Sequence, residues 1–244
     1  MSAQSDHFKD MTDDIDSLIK RVDPDRWLAS RLIADPQARA DVLAILAFDH
    51  ELAKVRDLVS DAFMGEIRLT WWSEALDEMG RGLAPRAHPA ALALADVLER
   101  YTLSPVLLNS LIEARMDDLG RTMLDSEEAV LAHVDATQVV FSALTLSILS
   151  PGTDPHAIRS AARAYGVGAL LGAGRLSPDL AQGWVRGQID YDLKAARTAL
   201  ADLPVAAFPA IAQAALARSY GAGKRPGPFS KSLRIFLASL TGQV

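Results

Sequence analysis

The chain has 244 residues, a formal net charge of -6 and no cysteine. The missing cysteines exclude disulfides, thiolate catalysis and Cys-ligated zinc, and a mildly acidic protein has no global electrostatic reason to bind nucleic acid. Half of the residues are hydrophobic but only 6% are aromatic, a composition that favours helices over a β-sandwich or barrel. We therefore predict an all-α protein with no nucleic-acid partner.

The two ends of the chain differ in composition from the sequence between them. Residues 1–10 are polar and acidic, unlike a signal peptide, and we expect them to be disordered. Residues 11–220 predict one helical domain, and residues 221–244 predict a basic linker and an amphipathic helix. No stretch approaches the roughly 20 apolar residues of a membrane span, and the apolar run from Val139 to Leu149 predicts a core helix. We expect a cytoplasmic protein whose association with a membrane is at most peripheral.

Proline, glycine and N-capping residues divide the chain into about ten helices joined by short connections. Asp35-Pro36 predicts the start of a long helix to Ser60, with Asp as the N-cap and Pro at the first helical position. Its apolar residues recur every three or four positions and predict one buried stripe: Val42, Ile45, Phe48, Leu52, Val55 and Val59. We place the break that follows at Met64-Gly65. Further helices are predicted over residues 12–22, 25–33, 67–79, 89–101, 105–119, 126–150, 188–200, 204–220 and 229–240.

A helix that opens at Asp154-Pro155 contains four glycines, an unusual number for a helix interior. Helical glycine costs about 1 kcal/mol relative to alanine, so Gly166, Gly168, Gly172 and Gly174 predict close approach of another helix. They do not form a dinucleotide-binding fingerprint, because no strand precedes them.

Six blocks between Asp25 and Tyr220 occur in the order found in the squalene/phytoene synthase family. They are LAFDHELAKVRDLV, GEIRLTWW, His88-Pro89, LIEARMDDLGRTMLDSEEAVLAHVDATQ, AYGVGALLGAGR and LADLPVAAFPAIAQAALARSY. Through these blocks the chain resembles that family over most of its length. The resemblance implies an isoprenoid-synthase-type helical bundle around a central cavity.

The chain departs from this family at both aspartate-rich motifs. Working members use these motifs to hold magnesium, because a diphosphate leaving group needs hard divalent cations and carboxylate ligands. The first motif aligns with residues 53–57, where Asp57 is the only carboxylate and Lys54 and Arg56 are cationic. Where the second motif should follow Arg175, the chain reads Leu-Ser-Pro-Asp. The resemblance therefore implies no metal site and no cofactor, with magnesium required only if the protein is an active enzyme.

The segments ELAKVRDLVS and VDATQVVFSALTLSIL resemble a subgroup of the family with the same loss, the assembly factors of respiratory complex I. This resemblance implies a non-catalytic factor that binds an isoprenoid-like lipid or a protein partner. The alternative is an active head-to-head prenyl transferase that makes squalene- or phytoene-type products. We favour the non-catalytic function, because the missing carboxylates remove the metal site that the chemistry requires, and we assign no catalytic residue.

If a lipid with an anionic head is bound, we expect cations to hold the head in place of magnesium. The candidate binding residues are Lys54, Arg56, Asp57, Arg68, Trp72, Asp117 and Arg175. Three of these have alternative interpretations. Arg68 forms either a surface ion pair with Glu74 or Asp77, which we favour, or a ligand contact. Trp72 either packs in the core or lines a residual prenyl cavity, and Asp117 either lies on the surface or faces inward, as does its neighbour Asp118.

The C-terminal segment is basic although the protein is acidic. Its cations are Lys224, Arg225, Lys231 and Arg234, and its apolar residues form one helical stripe: Phe229, Leu233, Phe236, Leu237 and Leu240. Such a pattern is typical of a helix that lies on a membrane surface. It is equally typical of a helix that packs on the bundle through its apolar stripe. We predict that residues 224–240 provide any peripheral membrane contact.

Overall fold

The computed structural model describes residues 13–244. The disorder expected for residues 1–10 and the predicted helix start at Thr12 lie outside the described residues. Within the described range the chain is helical, with no strand and a single isolated parallel β-bridge between Leu124 and Leu176. The prediction of an all-α fold is confirmed.

The described residues form two compact units, which divide between Gly120 and Arg121. The single domain predicted over residues 11–220 stays a prediction. The helices of the first unit are α1 (13–22), α2 (Pro24–Ser30), α3 (Pro36–Leu58), α4 (Ala62–Gly80), α5 (Pro89–Arg100) and α6 (Pro105–Asp117).

Helix α3 begins as its sequence predicts and runs through the first unit. The Asp35 side chain accepts a hydrogen bond from the backbone N–H of Gln37 at 2.9 Å, and Pro36 occupies the first helical position. The predicted apolar stripe is buried from Val42 to Val55. Val59 follows the last helical residue and is only half-buried. The helix packs on α4, α5 and α6, so it forms the core of this unit.

The break after α3 lies earlier than the sequence predicted. Helix α4 already begins at Ala62, capped by the side chain of Asp61, which accepts from the N–H of Phe63 at 3.0 Å. Gly65 therefore lies inside the helix, and the prediction of a break at Met64-Gly65 is wrong. A Cβ at Gly65 would lie 2.6 Å from Cδ2 of Leu119, so this glycine permits close packing.

A buried carboxylate ties α3 to its neighbours. Asp49 lies 2.8 Å from Nη1 of Arg26 and 2.9 Å from Nη2 of Arg115, and its side chain is only 4% exposed. Burial by itself raises the pKa of Asp49, but the two guanidinium groups outweigh it and hold the pKa at about 2. Asp49 is therefore charged at neutral pH and links α2, α3 and α6.

The second unit is built from shorter elements. They are α7 (Glu127–Val134), a π-helical turn (Asp135–Val139), α8 (Val140–Leu149), α9 (His156–Gly172), α10 (Pro178–Gly183), α11 (Val185–Ala199), two 3-10 segments (Val205–Ala210 and Ala212–Leu216), α12 (Ala217–Gly221) and α13 (Pro228–Thr241). The continuous helix predicted over residues 204–220 is replaced by these 3-10 segments and α12. Pro209 lies within the first segment and cannot donate a helical hydrogen bond.

The helical stretch from Glu127 to Leu149 has the length and hydropathy of a membrane span, with 56% of its most apolar window buried inside the protein. The expectation that no stretch approaches a membrane span therefore does not hold for the length and hydropathy of this helical stretch. Length and composition are weak evidence, because a core helix passes the same test. Within the second unit, the side chains of Phe141, Leu144 and Leu146 are buried, in agreement with the predicted core helix.

The four glycines between residues 166 and 174 divide into two pairs. A Cβ at Gly166 would lie 2.5 Å from Cγ1 of Val134, and one at Gly168 would lie 3.0 Å from Cβ of Tyr220. These two positions confirm the predicted close approach of another helix. A Cβ at Gly172 or Gly174 would meet nothing within 4 Å. Gly174 instead has a φ of +68° and follows the helix end, a usual place for glycine.

Helix α13 packs on the second unit, but not through the predicted stripe. Ile235 and Ala238 are buried, and the helix contacts the 3-10 segment Ala212–Leu216. The five apolar residues of the predicted stripe are all exposed, from 46% at Leu233 to 82% at Phe229. The helix thus docks through one narrow face and leaves an apolar face uncovered within the described chain.

Candidate functional site

The first unit contains a half-open pocket with a volume of about 320 Å³. It lies between the second half of α3, α4 and the residue that caps α5. We call it the tryptophan pocket. Its walls are formed by Glu51, Lys54, Val55, Leu58, Ile67, Arg68, Trp71, Trp72 and His88. Its volume lies at the lower end of the range for small-molecule sites, roughly 300–1,000 Å³.

Aromatic rings in edge-to-face contact form one side of this pocket. The ring of Trp72 lies 5.3 Å from that of Phe48, 5.0 Å from that of Trp71 and 5.1 Å from that of His88. Such T-shaped contacts add to the energy of apolar burial. Trp72 is only 4% exposed, yet it lines the pocket. Trp72 is therefore a core residue that also lines the tryptophan pocket, and its predicted contact with a prenyl group stays a prediction.

The polar side of the pocket is internally paired. His88 caps α5, and its Nδ1 accepts from the N–H of Ala90 at 3.2 Å while its Nε2 lies 3.4 Å from Oε2 of Glu51. The other oxygen of Glu51 accepts from Nζ of Lys54 at 2.6 Å. The carboxylate of Glu51 thus balances the positive charge of Lys54 inside the pocket. Lys54 therefore offers little attraction to an anionic ligand.

Arg68 is the second cation of the tryptophan pocket. It is exposed, and none of the carboxylates in residues 13–244 forms an ion pair with it. The surface ion pair predicted for it is therefore not formed within this range. Glu74 and Glu78, which lie about two and three turns further along α4, instead bind Arg86 at 2.9 and 2.7 Å. Hydrogen bonding to Arg86 lowers the pKa of Glu78. These carboxylates are therefore committed to Arg86, which leaves Arg68 available to a ligand.

The remaining sequence candidates lie outside the tryptophan pocket. Arg56 is not among its wall residues, because side chains two residues apart on a helix point about 200° apart. Its Nη1 instead lies 3.7 Å from Oδ2 of Asp118, and its Nη2 lies 3.8 Å from Oδ1 of Asp57. Asp57 and Asp117 are exposed, whereas Asp118 is buried.

Arg175 belongs to the second unit and is buried there. Its backbone carbonyl accepts from the N–H of Leu124 at 2.7 Å, as part of the isolated β-bridge. The structure thus brings Lys54, Arg68 and Trp72 into one pocket of the first unit. The ligand-binding roles assigned to Arg56, Asp57, Asp117 and Arg175 stay predictions.

Two polar wall residues, Glu51 and His88, were not predicted as part of a site. Sequence signals for both exist. Glu51 and Lys54 have the three-residue spacing of a helical ion pair, and His88-Pro89 is a helix start. Neither signal says that the two residues meet, since α3 and α5 are separated in the chain by α4.

The side chains at the first motif do not fit a magnesium site. Lys54 is paired with Glu51 and Arg56 faces Asp118, so two cations occupy positions where carboxylate ligands would be required. In the described part of the chain, no three or more His, Asp or Glu side chains are grouped closely enough to hold a metal ion. The tryptophan pocket is instead an apolar cleft with two cations at its wall, of which Lys54 is paired with Glu51 and Arg68 has no ion-pair partner within residues 13–244.

The sequence of the chain is similar to those of known proteins. The chain is 27% identical over 132 residues to a Bos taurus protein described as NADH dehydrogenase (ubiquinone) complex I, assembly factor 6, and 28% identical over 132 residues to the protein of that description from Homo sapiens. Each match covers 54% of this chain and 39% of the relative. The matched segment thus spans about two fifths of the length of these relatives.

Solved structures are similar over nearly the whole chain. A dehydrosqualene synthase in complex with a ligand superposes with a TM-score of 0.74 at 12% identity, covering 97% of both chains. The squalene synthase HpnC from Alicyclobacillus acidocaldarius superposes with a TM-score of 0.63 at 16% identity, covering 97% of this chain and 95% of that one. At such low identity these matches show the fold alone.

The family model for squalene/phytoene synthase matches residues 19–171, more than half of the chain. This range contains the whole of α3 and α4, and with them both sides of the tryptophan pocket. Sequence and fold agree on one assignment. The chain belongs to the squalene/phytoene synthase family.

Proposed function

We propose that this protein is a non-catalytic member of its family that acts as an assembly factor for respiratory complex I. In this role the tryptophan pocket binds an apolar group, either a lipid chain or a side chain of a protein partner. One observation carries the proposal: Lys54, at a position where the enzymes need a carboxylate, is paired with Glu51 inside an aromatic pocket.

The chemistry of prenyl transfer argues against catalysis. Departure of a diphosphate requires divalent cations held by convergent carboxylates. Lys54 and Arg56 at the first motif repel such cations, and Asp57 remains exposed on the surface. A fold retained without its metal ligands is suited to binding, and we assign it no cofactor.

The matched relatives support a role in complex I assembly. Their descriptions name this process, and their identity to this chain is higher than that of the solved synthases. Because only about two fifths of each relative is matched, the assembly role and its partners are proposed for this chain.

The composition of the tryptophan pocket limits what it can bind. Val55, Leu58, Ile67 and the two tryptophans offer apolar contacts, which favour an isoprenoid-like chain or a large apolar side chain. Arg68 can bind one anionic group of such a ligand. Lys54 contributes little attraction while Glu51 balances its charge.

The exposed face of α13 suits a peripheral contact with the membrane that houses complex I. Residues 221–244 contain four cations and no acidic residue, and the exposed stripe from Phe229 to Leu240 can insert among lipid head groups. We propose that the protein faces the cytoplasm or the equivalent soluble compartment and attaches to the membrane through this helix.

Deletion of the gene in its own host tests the assembly role. We expect assembled complex I to decrease on native gels, and NADH:ubiquinone oxidoreductase activity to fall with it. Wild-type protein should restore both. The pocket variant R68Q should not, whereas R81Q, which removes one exposed charge at the end of the same helix outside the pocket, should. Normal complex I in the deletion strain would refute the proposal.

A second experiment tests the absence of catalysis. The purified protein is incubated with farnesyl or geranylgeranyl diphosphate and magnesium, and released diphosphate is measured. We expect no turnover above background, because the motif positions lack carboxylates. Steady magnesium-dependent release would instead support the alternative function, a head-to-head prenyl transferase.

A further inference from the structure

The second unit contains a pocket that the sequence did not predict, although two of its wall residues, Lys224 and Arg225, belong to the basic segment predicted to contact a membrane. It is half-open, has a volume of about 520 Å³ and lies among the end of α9, α10, the start of α11 and the segment that follows α12. We call it the cationic pocket. Its charged wall residues are Arg186, Lys224 and Arg225, and no acidic residue lines it.

The two arginines of the cationic pocket are held in place by backbone carbonyls. Nε of Arg186 donates to the carbonyl oxygen of Gly221 at 3.3 Å, and Nη2 of Arg225 donates to the carbonyl oxygen of Gly172. A guanidinium has several further N–H donors, so each arginine keeps donors for a ligand. Such a fixed guanidinium is well suited to bind phosphate oxygens.

The charges of this pocket are not compensated. Within residues 13–244 no carboxylate forms an ion pair with Arg186, Lys224 or Arg225. The protein as a whole is acidic, with a net charge of -6, so carboxylates are available elsewhere in the chain. Three cations concentrated around one cavity without a counter-charge favour a ligand with a strongly negative group.

The position of the pocket in the chain indicates what carries this negative group. Lys224 and Arg225 directly precede α13, whose exposed stripe from Phe229 to Leu240 has no partner within the described chain. Lys231 and Arg234 on α13 add two more cations. A cationic cavity that continues into an exposed apolar helix matches the two parts of a phospholipid, a phosphate group and an acyl layer.

We propose that the cationic pocket binds the phosphate of an anionic phospholipid while the exposed face of α13 lies in the head-group region of the same bilayer. This inference rests on the peripheral membrane contact proposed above and adds a specific head-group site to it. The pocket has room for the ligand, because a Cβ added at Gly172 or Gly223 would meet nothing within 4 Å.

Vesicle binding by the full chain tests this proposal. The probes are phosphatidylcholine vesicles with and without phosphatidylglycerol, and co-sedimentation gives the partition constant. Each cation near an anionic surface contributes about 1 kcal/mol, or about fivefold in binding. We therefore expect R186Q/R225Q to weaken binding to phosphatidylglycerol vesicles about 25-fold. The matched control K194Q/R197Q removes two exposed charges of α11 outside the pocket and should weaken binding by less than about fivefold.

Further arms separate the possible sources of the anion. Inorganic phosphate is titrated into the protein without vesicles, and an acidic peptide is tested in the same way. K224Q serves as a second variant, because Lys224 is exposed and makes only a backbone hydrogen bond. It should weaken vesicle binding about fivefold even if R186Q/R225Q proves unstable.

Three results would overturn the proposal. Equal losses in R186Q/R225Q and K194Q/R197Q would mean that overall charge, not the pocket, attracts the vesicle. Binding of free phosphate through the pocket, with vesicle binding unchanged in R186Q/R225Q, would identify a soluble ligand. Pocket-dependent binding of the acidic peptide, without vesicle binding, would identify a protein partner.

The same assay separates this inference from the proposed membrane contact. The variant L233S/F236S/L237S removes the apolar face of α13. If it releases the protein from vesicles while R186Q/R225Q binds like the control, the peripheral contact stands and the head-group site fails. Complex I assembly in the deletion strain is measured independently of both.

Discussion

The two pockets of this protein use positive charge in opposite ways. In the tryptophan pocket, Lys54 is paired with Glu51 at 2.6 Å and the rings of Trp71, Trp72 and His88 form the adjacent wall. In the cationic pocket, Arg186 and Arg225 bind backbone carbonyls and have no carboxylate partner among residues 13–244. The difference shows that a cation in the sequence predicts anion binding only when its tertiary partners leave its charge uncompensated.

The largest effect is expected at Asp49, a buried carboxylate whose charge is compensated by two arginines. Replacing Asp49 by Asn leaves Arg26 and Arg115 without their shared carboxylate, and breaking a buried ion pair costs about 3–5 kcal/mol. Urea unfolding should show this loss in the free energy of unfolding. The control D57N alters an exposed carboxylate that lies 3.8 Å from Arg56 and should change stability by less than about 1 kcal/mol.

The same carboxylate predicts an acid-dependent loss of stability. The pKa of Asp49 is about 2 in the folded protein and about 3.9 in an unfolded chain. A lowered folded pKa contributes stability that is complete above the unfolded value and is lost as pH falls toward about 2. Wild-type stability should therefore fall between about pH 4 and pH 2 more steeply than that of D49N. Parallel pH profiles would show that the ion pair does not set this dependence.

A smaller effect on stability is expected when alanine replaces glycine in α9, and it should differ between the closely packed Gly166 and the open Gly172 near the cationic pocket. Gly166→Ala should destabilise the protein by about 1–3 kcal/mol, because the new Cβ would lie 2.5 Å from Cγ1 of Val134. Gly172→Ala is the matched change in the same helix, and it should be neutral or stabilising by up to about 1 kcal/mol. Thermal unfolding of both variants measures the contrast, and equal losses would contradict it.

The smallest effect on stability is expected from a variant that removes the difference between the pockets. Glu51→Gln frees the charge of Lys54 and, since the pair is partly exposed, should change stability by less than about 1 kcal/mol. The tryptophan pocket should then bind inorganic phosphate more tightly than the wild-type pocket, measured by calorimetry, because Lys54 joins Arg68 as a cation without a carboxylate partner among residues 13–244. The double variant E51Q/K54Q is the control and should lose this gain. If E51Q gains no phosphate affinity, the Glu51–Lys54 pair is not what keeps anions out.

The helices could be predicted because their signals are local. Asp35-Pro36 and Ser104-Pro105 carry their capping groups within one turn, and the stripe of α3 follows from helical periodicity. The misplaced break at Met64-Gly65 has a non-local cause. Gly65 is explained by the side chain of Leu119, which lies in a distant part of the sequence.

The site was predicted only in part, for the same reason. Lys54 and Trp72 stand out in the sequence because one replaces an aspartate and the other belongs to a Trp-Trp pair. Glu51 and His88 carry no such mark, and their roles depend on α3 meeting the start of α5. Lys224 and Arg225 of the cationic pocket stand out in the sequence as part of a basic segment, but the pocket itself was missed, because Arg186 is far from them in the chain and meets them only through the packing of the second unit.

The sequence by itself determined the all-α class, since this follows from composition and short-range spacing. Its resemblance to a known family indicated the family and, through the alignment of the aspartate motifs, the loss of carboxylates there. Only the tertiary structure decided which cations are neutralised and which are available. It also decided that α13 docks through Ile235 and Ala238 and leaves its larger apolar face exposed. The physical reason is that burial and charge compensation depend on partners brought together by folding, and helical periodicity specifies a face without specifying what covers it.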